Sequence, residues 1–341
     1  MKRLINEEEK IVDDMISGYI KICRGAVKKV PGVNAVIKTH AKDKVSVIVG
    51  GGSGLDPWPI GYVGDGLADG AAVGNIFTAP PARSILEATR CLPHKKGVIY
   101  VVTNHAGDVL NFELVSELAG LEGIKTRQIY IADDIASASR SDREERRGIG
   151  GVAILTKIAG AVTEAGNTLD ETERILRKAN ENIGTFSVTT APSCSPVTGK
   201  ECFTLDEGQM EFGMGFNGET GISRETITGA NGIAERLMKE LLNDLGIKAQ
   251  DKVAVWINGY SLTSQIELSI IAGACCDILE ERKIELHDIV VERLYVTPGA
   301  GGLSISIIKL DEEMTRYYNR RAEAPFFKIG ERGEADESRR M

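Results

Sequence analysis

The sequence lacks any long apolar stretch. No run of about 18 apolar residues occurs in its 341 residues, and the N-terminal segment MKRLINEEEKIVDDMI has no uninterrupted apolar core of signal-peptide length. These absences predict a protein that does not enter or cross a membrane and stays in the cytoplasm.

Histidine, cysteine and aromatic side chains are also scarce. The four histidines show no metal-ligand spacing, and the six cysteines include no Cys-x-x-Cys pair. Aromatic residues make up 5% of the chain and the formal net charge is −8, which gives no reason to expect a nucleic-acid surface. We therefore expect reduced thiols, no metal site and no nucleic-acid partner.

The chain does contain short apolar runs that alternate with longer helical patterns, which is typical of α/β proteins. An amphipathic helix is predicted over 6–23, with Asn6 as its cap. The first series then has strands at 44–50, 97–104 and 126–133 and helices at 109–121 and 152–165. After a helix at 169–182, the second series has strands at 184–192, 252–259, 288–297 and 303–310 and helices at 229–244 and 263–282.

This organisation predicts two α/β domains, each a mixed sheet flanked by helices. The boundary is placed near Ile183, giving an N-terminal domain over 1–183 and a C-terminal domain over 184–330. The last residues, 331–341, are charged and without apolar periodicity, and we expect them to be disordered.

The densest motif follows the strand predicted at 44–50: Gly50, Gly51, Gly52, Ser53 and Gly54. Missing side chains let backbone N–H groups approach a ligand closely, so the run is typical of a small-ligand or phosphate cradle. Leu55 stands where G-x-G-x-x-G needs its last glycine, and no G-x-x-x-x-G-K-[ST] occurs. A tight structural turn is the alternative interpretation.

Two further motifs contain candidate site residues. His105, Gly107 and Asp108 follow another apolar strand, where ligand sites of open α/β sheets lie. Asp108 is either a base that accepts a proton from a substrate hydroxyl or the cap of a helix starting near Val109. In MEFGMGFNGETG (210–221), Asn217 can offer hydrogen bonds but is no nucleophile.

Together these stretches resemble the K subunit of bacterial dihydroxyacetone kinases across nearly the whole chain. The shared motifs, in family order, are KxLIN, GGGSG followed by an acid and Pro57, GYVGDG, IFTAP, GDVLNFE, RRGIGG, MEFGxGxxGExG and SISIIKL. The resemblance implies a homodimer with a pocket for short-chain hydroxyketones. It also implies that this chain binds no cofactor and that a separate L-type subunit carries ATP or ADP with Mg and delivers the phosphate.

The sequence departs from the family at three positions. The histidine that captures the ketone covalently is Asn217 here, the histidine after GGGSG is Leu55, and the lysine five residues before Asp108 is Thr103. By resemblance, covalent capture should be lost while Asp108 and the glycine cradle persist. His105, Asp56 and Asn217 lie near these positions in the sequence. We therefore expect them to be the groups that could substitute for the missing side chains.

Three functions follow as hypotheses. The leading one is a kinase subunit that binds a hydroxyketone or a short sugar derivative non-covalently at Gly51, Gly52, Ser53, Gly54, Leu55, Thr103, His105, Gly107 and Asn217, with Asp108 as the base. A variant acts on a tetrose- or pentose-derived acid. The rival is a non-catalytic ligand sensor, since some K-type paralogues bind a transcriptional regulator, and an isomerase ranks last because no acid–base pair stands out.

Overall fold

The computed structural model describes residues 4–215 and 218–330. The predictions made for Asn217 and for the tail 331–341 fall outside these residues. Within them, the helices are α1 Ile11–Ile22, α2 Ala82–Cys91, α3 Ala106–Leu121, α4 Val152–Glu164, α5 Leu169–Glu181, α6 Ala230–Asp244, α7 Gln265–Glu281 and α8 Glu312–Tyr318.

The strands of the first half are β1 Val27–Lys29, β2 Ala35–Lys38, β3 Ser46–Ser53, β4 Gly70–Ile76, β5 Val98–Thr103 and β6 Thr126–Ile131. Those of the second half are β7 Ile183–Ala191, β8 Gln209–Phe212, β9 Ser223–Thr226, β10 Lys252–Gly259, β11 Glu285–Glu292, β12 Gly301–Leu310, β13 Ala322–Ala324 and β14 Phe327–Ile329.

The first half forms a mixed sheet with the order β1-β2-β4-β3-β5-β6. The pairs β4–β3, β3–β5 and β5–β6 are parallel, so the carboxyl ends of β3, β5 and β6 lie at one edge. Both faces of β3 and β5 are buried, which explains why these strands read as continuous apolar runs. The carboxyl edge is where an open α/β sheet places its ligand site.

The second half forms another six-stranded sheet among the described residues, with the order β11-β10-β12-β7-β8-β9. Only β10 and β11 pair in parallel there, and the remaining neighbours are antiparallel. Helices α6 and α7 contact each other and cover a core of apolar side chains on one face of this sheet.

The largest core joins the two halves. Helix α4 is buried along nearly its whole length and contacts β3, β5 and α8. The end of the described chain returns to the first half, where Glu323 of β13 pairs with Asp65. One apolar cluster therefore includes side chains from α1, both sheets and the final hairpin.

The predicted elements are all present, and the two mixed sheets flanked by helices are confirmed. Two details were wrong. Asn6 is not a helix cap, because its side-chain amide donates to Asp14 and α1 begins only at Ile11, after a short 3-10 turn. The strand predicted at 288–297 lies earlier, over Glu285–Glu292. The domain boundary near Ile183 stays a prediction.

Candidate functional site

The glycine run belongs to the end of β3 as far as Ser53, and only Gly54 lies beyond the strand. An added Cβ would clash with the indole of Trp58 at Gly51, and at Gly52 it would lie 2.7 Å from the backbone nitrogen of Thr78. The Ser53 hydroxyl donates to the Gly74 carbonyl at 2.7 Å. The glycines are thus required by close packing of the protein itself, whatever they contribute to a ligand.

Asp108 lies in the first turn of α3, directly beyond the carboxyl end of β5. The predicted role as helix cap was wrong, because α3 already begins at Ala106 and His105 occupies the cap position without a side-chain bond. The Thr103 hydroxyl donates to Asp108 Oδ2 at 3.2 Å, while Oδ1 has no hydrogen-bond partner in the described part of the chain.

The Asp108 carboxyl is 5% exposed, and this burial raises its pKa from 3.8 to about 7. The hydrogen bond from Thr103 counteracts part of that rise, since it favours the ionised form. A carboxylate with such a pKa is half protonated near neutral pH, which suits a group that accepts a proton during a reaction.

His105 follows β5 and turns its ring toward the loop between β6 and α4. Its Nε2 lies 2.9 Å from the Gly148 carbonyl, and because a carbonyl only accepts, Nε2 carries the hydrogen. Burial lowers the pKa of His105, so the ring is neutral and its Nδ1 has a lone pair.

A small cavity lies where the two halves meet, with a volume of about 10 Å³. It is lined by Leu55, His105, Arg147, Ile149, Gly215, Glu219 and Tyr295. The space is enough for about one water molecule, so a ligand of three or four carbons must displace part of the wall. Asp108 is close enough to Tyr295 for its charge to raise the pKa of the phenol.

The segment 146–151 that lines this cavity is held by buried acids. Asp133, two residues after the end of β6, accepts hydrogen bonds of 2.7 Å from the backbone nitrogens of Ile149 and Gly151. Asp134 accepts from Arg147 Nε at 2.9 Å, which orients the guanidinium beside the cavity. The loop is therefore positioned by strand-end carboxylates before any ligand binds.

Neighbouring residues of two chain segments line this cavity and a second, larger one. Asp56 pairs with Val296, so Leu55 and Tyr295 face the cavity while Asp56 lines a larger apolar groove of about 800 Å³ outside. Of the substitutes suggested from the sequence, His105 lies with Leu55 and Asp56 lies in the outer groove. Asn217 is not among the described residues.

Arg147, Glu219 and Tyr295 were not predicted as site residues. The first two belong to the RRGIGG and GExG motifs that support the family resemblance, so a motif-based search could have included them. Tyr295 lies in the segment 288–297 that the sequence predicts as a strand, and nothing local distinguishes it. The remaining site predictions, Gly51 to Leu55, Thr103, Gly107 and Asp108, stay predictions because no ligand tests them.

Residues 4–215 and 218–330 contain no cluster of three or more His, Cys, Asp or Glu side chains suited to a metal ion. In the same residues, no helix has the length and apolar character needed to span a membrane.

Similar proteins were found at the levels of family, sequence and structure. The chain matches the Dak1 domain over residues 17–326. It is 34% identical over 332 residues to the dihydroxyacetone-binding subunit DhaK of a PTS-dependent dihydroxyacetone kinase 2 from Listeria innocua, covering 96% of this chain and 100% of the relative. D-erythrulose kinase from Mycolicibacterium smegmatis is 35% identical over 97% of this chain, which spans 57% of that enzyme. The solved structure of the dihydroxyacetone kinase operon co-activator Dha-DhaQ is similar with a TM-score of 0.87 at 28% identity, covering 95% of this chain and 100% of that one.

Proposed function

Because this chain belongs to the Dak1 family, we propose that it is a substrate-binding kinase subunit. It holds a short-chain hydroxyketone non-covalently and presents it to a separate L-type subunit that carries ATP or ADP with Mg. The relatives named for dihydroxyacetone and D-erythrulose support ketoses of three or four carbons as the substrate class.

The observation that carries this proposal is the burial and the raised pKa of the Asp108 carboxyl. Its carboxyl is buried at the carboxyl edge of the first sheet, has one oxygen without a partner among the described residues, and has a pKa of about 7. Such a group can take the proton of a substrate hydroxyl as phosphate is transferred to it. Phosphoryl transfer depends mainly on positioning and electrostatics, so the loss of a covalent anchor lowers affinity without removing the reaction.

The first test measures binding and mass together. We expect dihydroxyacetone or one of the erythrulose enantiomers to raise the melting temperature while the intact mass stays unchanged, because Asn217 replaces the family's capturing histidine. Asp108→Asn should bind the ketone but support no product when the L-type subunit and its phosphate donor are added. A stable mass adduct would contradict non-covalent binding, and no response to any of these ketoses would contradict the substrate class.

A second candidate is a ligand sensor, and the similarity to the co-activator Dha-DhaQ favours it. Leu55 and Thr103 also replace two polar groups of the family site. A sensor binds the ketone with the same melting shift, but the wild-type chain forms no phosphorylated product with any L-type subunit. Product formation that is lost in Asp108→Asn therefore supports the kinase subunit over the sensor.

Assembly is proposed on the family resemblance alone. We expect a homodimer, which light scattering of the purified chain measures directly. A monomer at micromolar concentration would contradict this part of the proposal without bearing on the binding site.

A further inference from the structure

We propose that Arg147 Nη1 donates a hydrogen bond to the carbonyl oxygen of the bound ketose. In the same proposal, His105 Nδ1 and Asp108 Oδ1 accept hydrogen bonds from the hydroxyl groups on either side of that carbonyl. This inference rests on the proposed function. It assigns Arg147 and His105 to substrate binding, and it makes neutral ketoses, rather than polyols or sugar acids, the class that fits the site.

The two consecutive arginines of the RRGIGG motif differ in how their side-chain nitrogens are used. Arg146 is fully buried and all three nitrogens have partners: Nε donates to a backbone carbonyl, and Nη1 and Nη2 donate to the Asp244 carboxylate at 2.9 and 2.6 Å. Arg147 uses Nε for Asp134 at 2.9 Å and Nη2 for the same carboxylate and the Gly213 carbonyl. Its Nη1 has no hydrogen-bond or ion-pair partner within the described part of the chain, so this donor group is open.

The open nitrogen of Arg147 lies at the cavity where the two halves meet. Arg147 and Gly215 both line this cavity, and a Cβ added at Gly215 would lie 2.9 Å from Nη1. The Asp134 carboxylate and the Gly213 carbonyl hold the other two guanidinium nitrogens. The Ser137 hydroxyl accepts from the Arg147 backbone nitrogen at 2.9 Å, which fixes the chain at this point. Nη1 is therefore a rigidly held donor beside the ligand space.

Two acceptor atoms near the same cavity are also open. The neutral His105 ring lines the cavity and donates from Nε2 to the Gly148 carbonyl, while Nδ1 has no partner among the described residues. Asp108 follows three residues later, in the first turn of α3, and its buried Oδ1 has no partner there either. Burial raises the pKa of Tyr295 in the cavity wall and the charge of Asp108 adds to the rise, so the Asp108 carboxyl lies close to this space.

These open atoms match the functional groups of a ketose. A ketone oxygen only accepts hydrogen bonds, whereas each hydroxyl has a hydrogen to donate. Dihydroxyacetone and erythrulose have a hydroxyl on each carbon next to the carbonyl, so they present one acceptor between two donors. The site offers one donor, on Arg147, and two acceptors, on His105 and Asp108. In a polyol the carbonyl is replaced by a hydroxyl, whose hydrogen finds no acceptor on a guanidinium.

The charges around the cavity favour a neutral substrate. Arg147 is already paired with the Asp134 carboxylate at 2.8 Å, and Glu219 lines the same cavity. Asp133 holds the backbone of Ile149 in this wall and adds a third acid to the region. A sugar acid would bring a further negative charge beside these acids, in surroundings that screen charge poorly. The tetrose- or pentose-derived acids considered from the sequence are therefore a poor match to the site.

The experiment pairs a change in the protein with a change in the ligand. Arg147→Lys retains a positive charge beside Asp134 but removes Nη1. Arg146→Lys is the matched control, because it makes the same change in the neighbouring arginine, which does not line the cavity. Calorimetry measures the affinity of the wild type and both variants for two ketoses, dihydroxyacetone and erythrulose, for the polyols glycerol and erythritol, and for glycerate as the sugar acid.

We expect the wild type to bind the ketoses more tightly than the polyols and to bind glycerate least. Arg147→Lys should weaken ketose binding by about ten- to a hundredfold, the usual effect of losing a hydrogen bond from a charged group. Its affinity for the polyols should change little, because they have no carbonyl oxygen to lose, so the two changes are non-additive. A merely structural role of Arg147 would instead weaken ketoses and polyols alike. Arg146→Lys should keep the wild-type preference.

The outcomes separate this inference from the proposed function. If the wild type binds neither ketose, the proposed function fails and this inference fails with it. If the wild type binds ketoses and Arg147→Lys weakens ketoses and polyols by the same factor, or weakens neither, the function stands and the role of Arg147 is refuted. Tighter binding of glycerate than of the ketoses would refute the preference for a neutral substrate.

A measurement on the wild type keeps the inference testable if Arg147→Lys does not fold. Dihydroxyacetone labelled with carbon-13 at the carbonyl is followed by NMR as it binds. A hydrogen bond from a charged donor polarises the carbonyl more than water does, so the carbonyl resonance should move downfield on binding. A resonance that moves upfield or stays at its value in water would refute the contact.

Discussion

The hydrogen bond between Thr103 and Asp108 makes a specific prediction about the pH dependence of activity. If Asp108 is the base, activity requires its ionised form and should rise with pH through an apparent pKa near 7. Thr103→Val retains the shape of the side chain and removes the hydroxyl that donates to Asp108 Oδ2 at 3.2 Å. Because that bond favours the carboxylate, its loss should raise the pKa of Asp108 further.

The size of the change follows from the geometry. A hydrogen bond to a charged group contributes about 1.5–3 kcal/mol, and the length of this one favours the lower value. About 1.4 kcal/mol corresponds to one pH unit, so the rising limb of the profile should move up by about one unit. At pH 7 the ionised fraction would drop from about half to about a tenth, which predicts a fivefold loss of kcat/KM that is recovered at pH 9.

The assay is kcat/KM from pH 5.5 to 9 with the L-type subunit in excess, together with an NMR titration of the Asp108 carboxyl in the chain alone. Thr156→Val is the matched control, since Thr156 is equally buried but its hydroxyl bonds the Val152 carbonyl. If kcat/KM of the wild type rises near pH 4, the reasoning is refuted. It is also refuted if the profile of Thr103→Val rises at the same pH as that of the wild type.

Three more predictions concern stability. Asp108→Asn should raise the melting temperature at pH 8 and have little effect at pH 4, because a carboxyl with a raised pKa destabilises the fold increasingly as pH rises from about 4 through 7, by a few kcal/mol at most. Gly51→Ala should destabilise by about 1–3 kcal/mol, since the new methyl group meets the Trp58 indole. Arg146→Met should destabilise by about 3 kcal/mol, because the Asp244 carboxylate then retains only its 3.6 Å ion pair with the half-exposed Arg140.

All three are measured by thermal and urea unfolding, and the Gly51 and Arg146 variants are each compared with a control variant. Gly120 in α3 has open space around its missing Cβ, so Gly120→Ala should be neutral or stabilising where Gly51→Ala is not. Arg177→Met removes an exposed ion pair with Glu173 and should change stability by less than about 1 kcal/mol. Equal effects within either pair, or a pH-independent effect of Asp108→Asn, would contradict the assignments.

The sequence alone determined the elements and the order in which they occur. Strands β3 and β5 are buried on both faces, so each reads as an apolar run, and the helices that follow show their own periodicity. The position of Asp108 beyond β5 followed from the same local pattern. The family was also evident from the sequence, because its motifs are contiguous stretches.

Only the tertiary structure decided which side chains meet. Tyr295 and Leu55 line the same cavity, and the neighbouring residues Asp56 and Val296 pair across the two halves, a contact that no local pattern encodes. Burial by the surrounding chain, rather than residue type, sets the pKa of Asp108. The requirement for glycine at position 51 likewise comes from Trp58 packing against it. Periodicity and capping act over a few residues, whereas desolvation and pairing depend on parts of the chain that are distant in sequence.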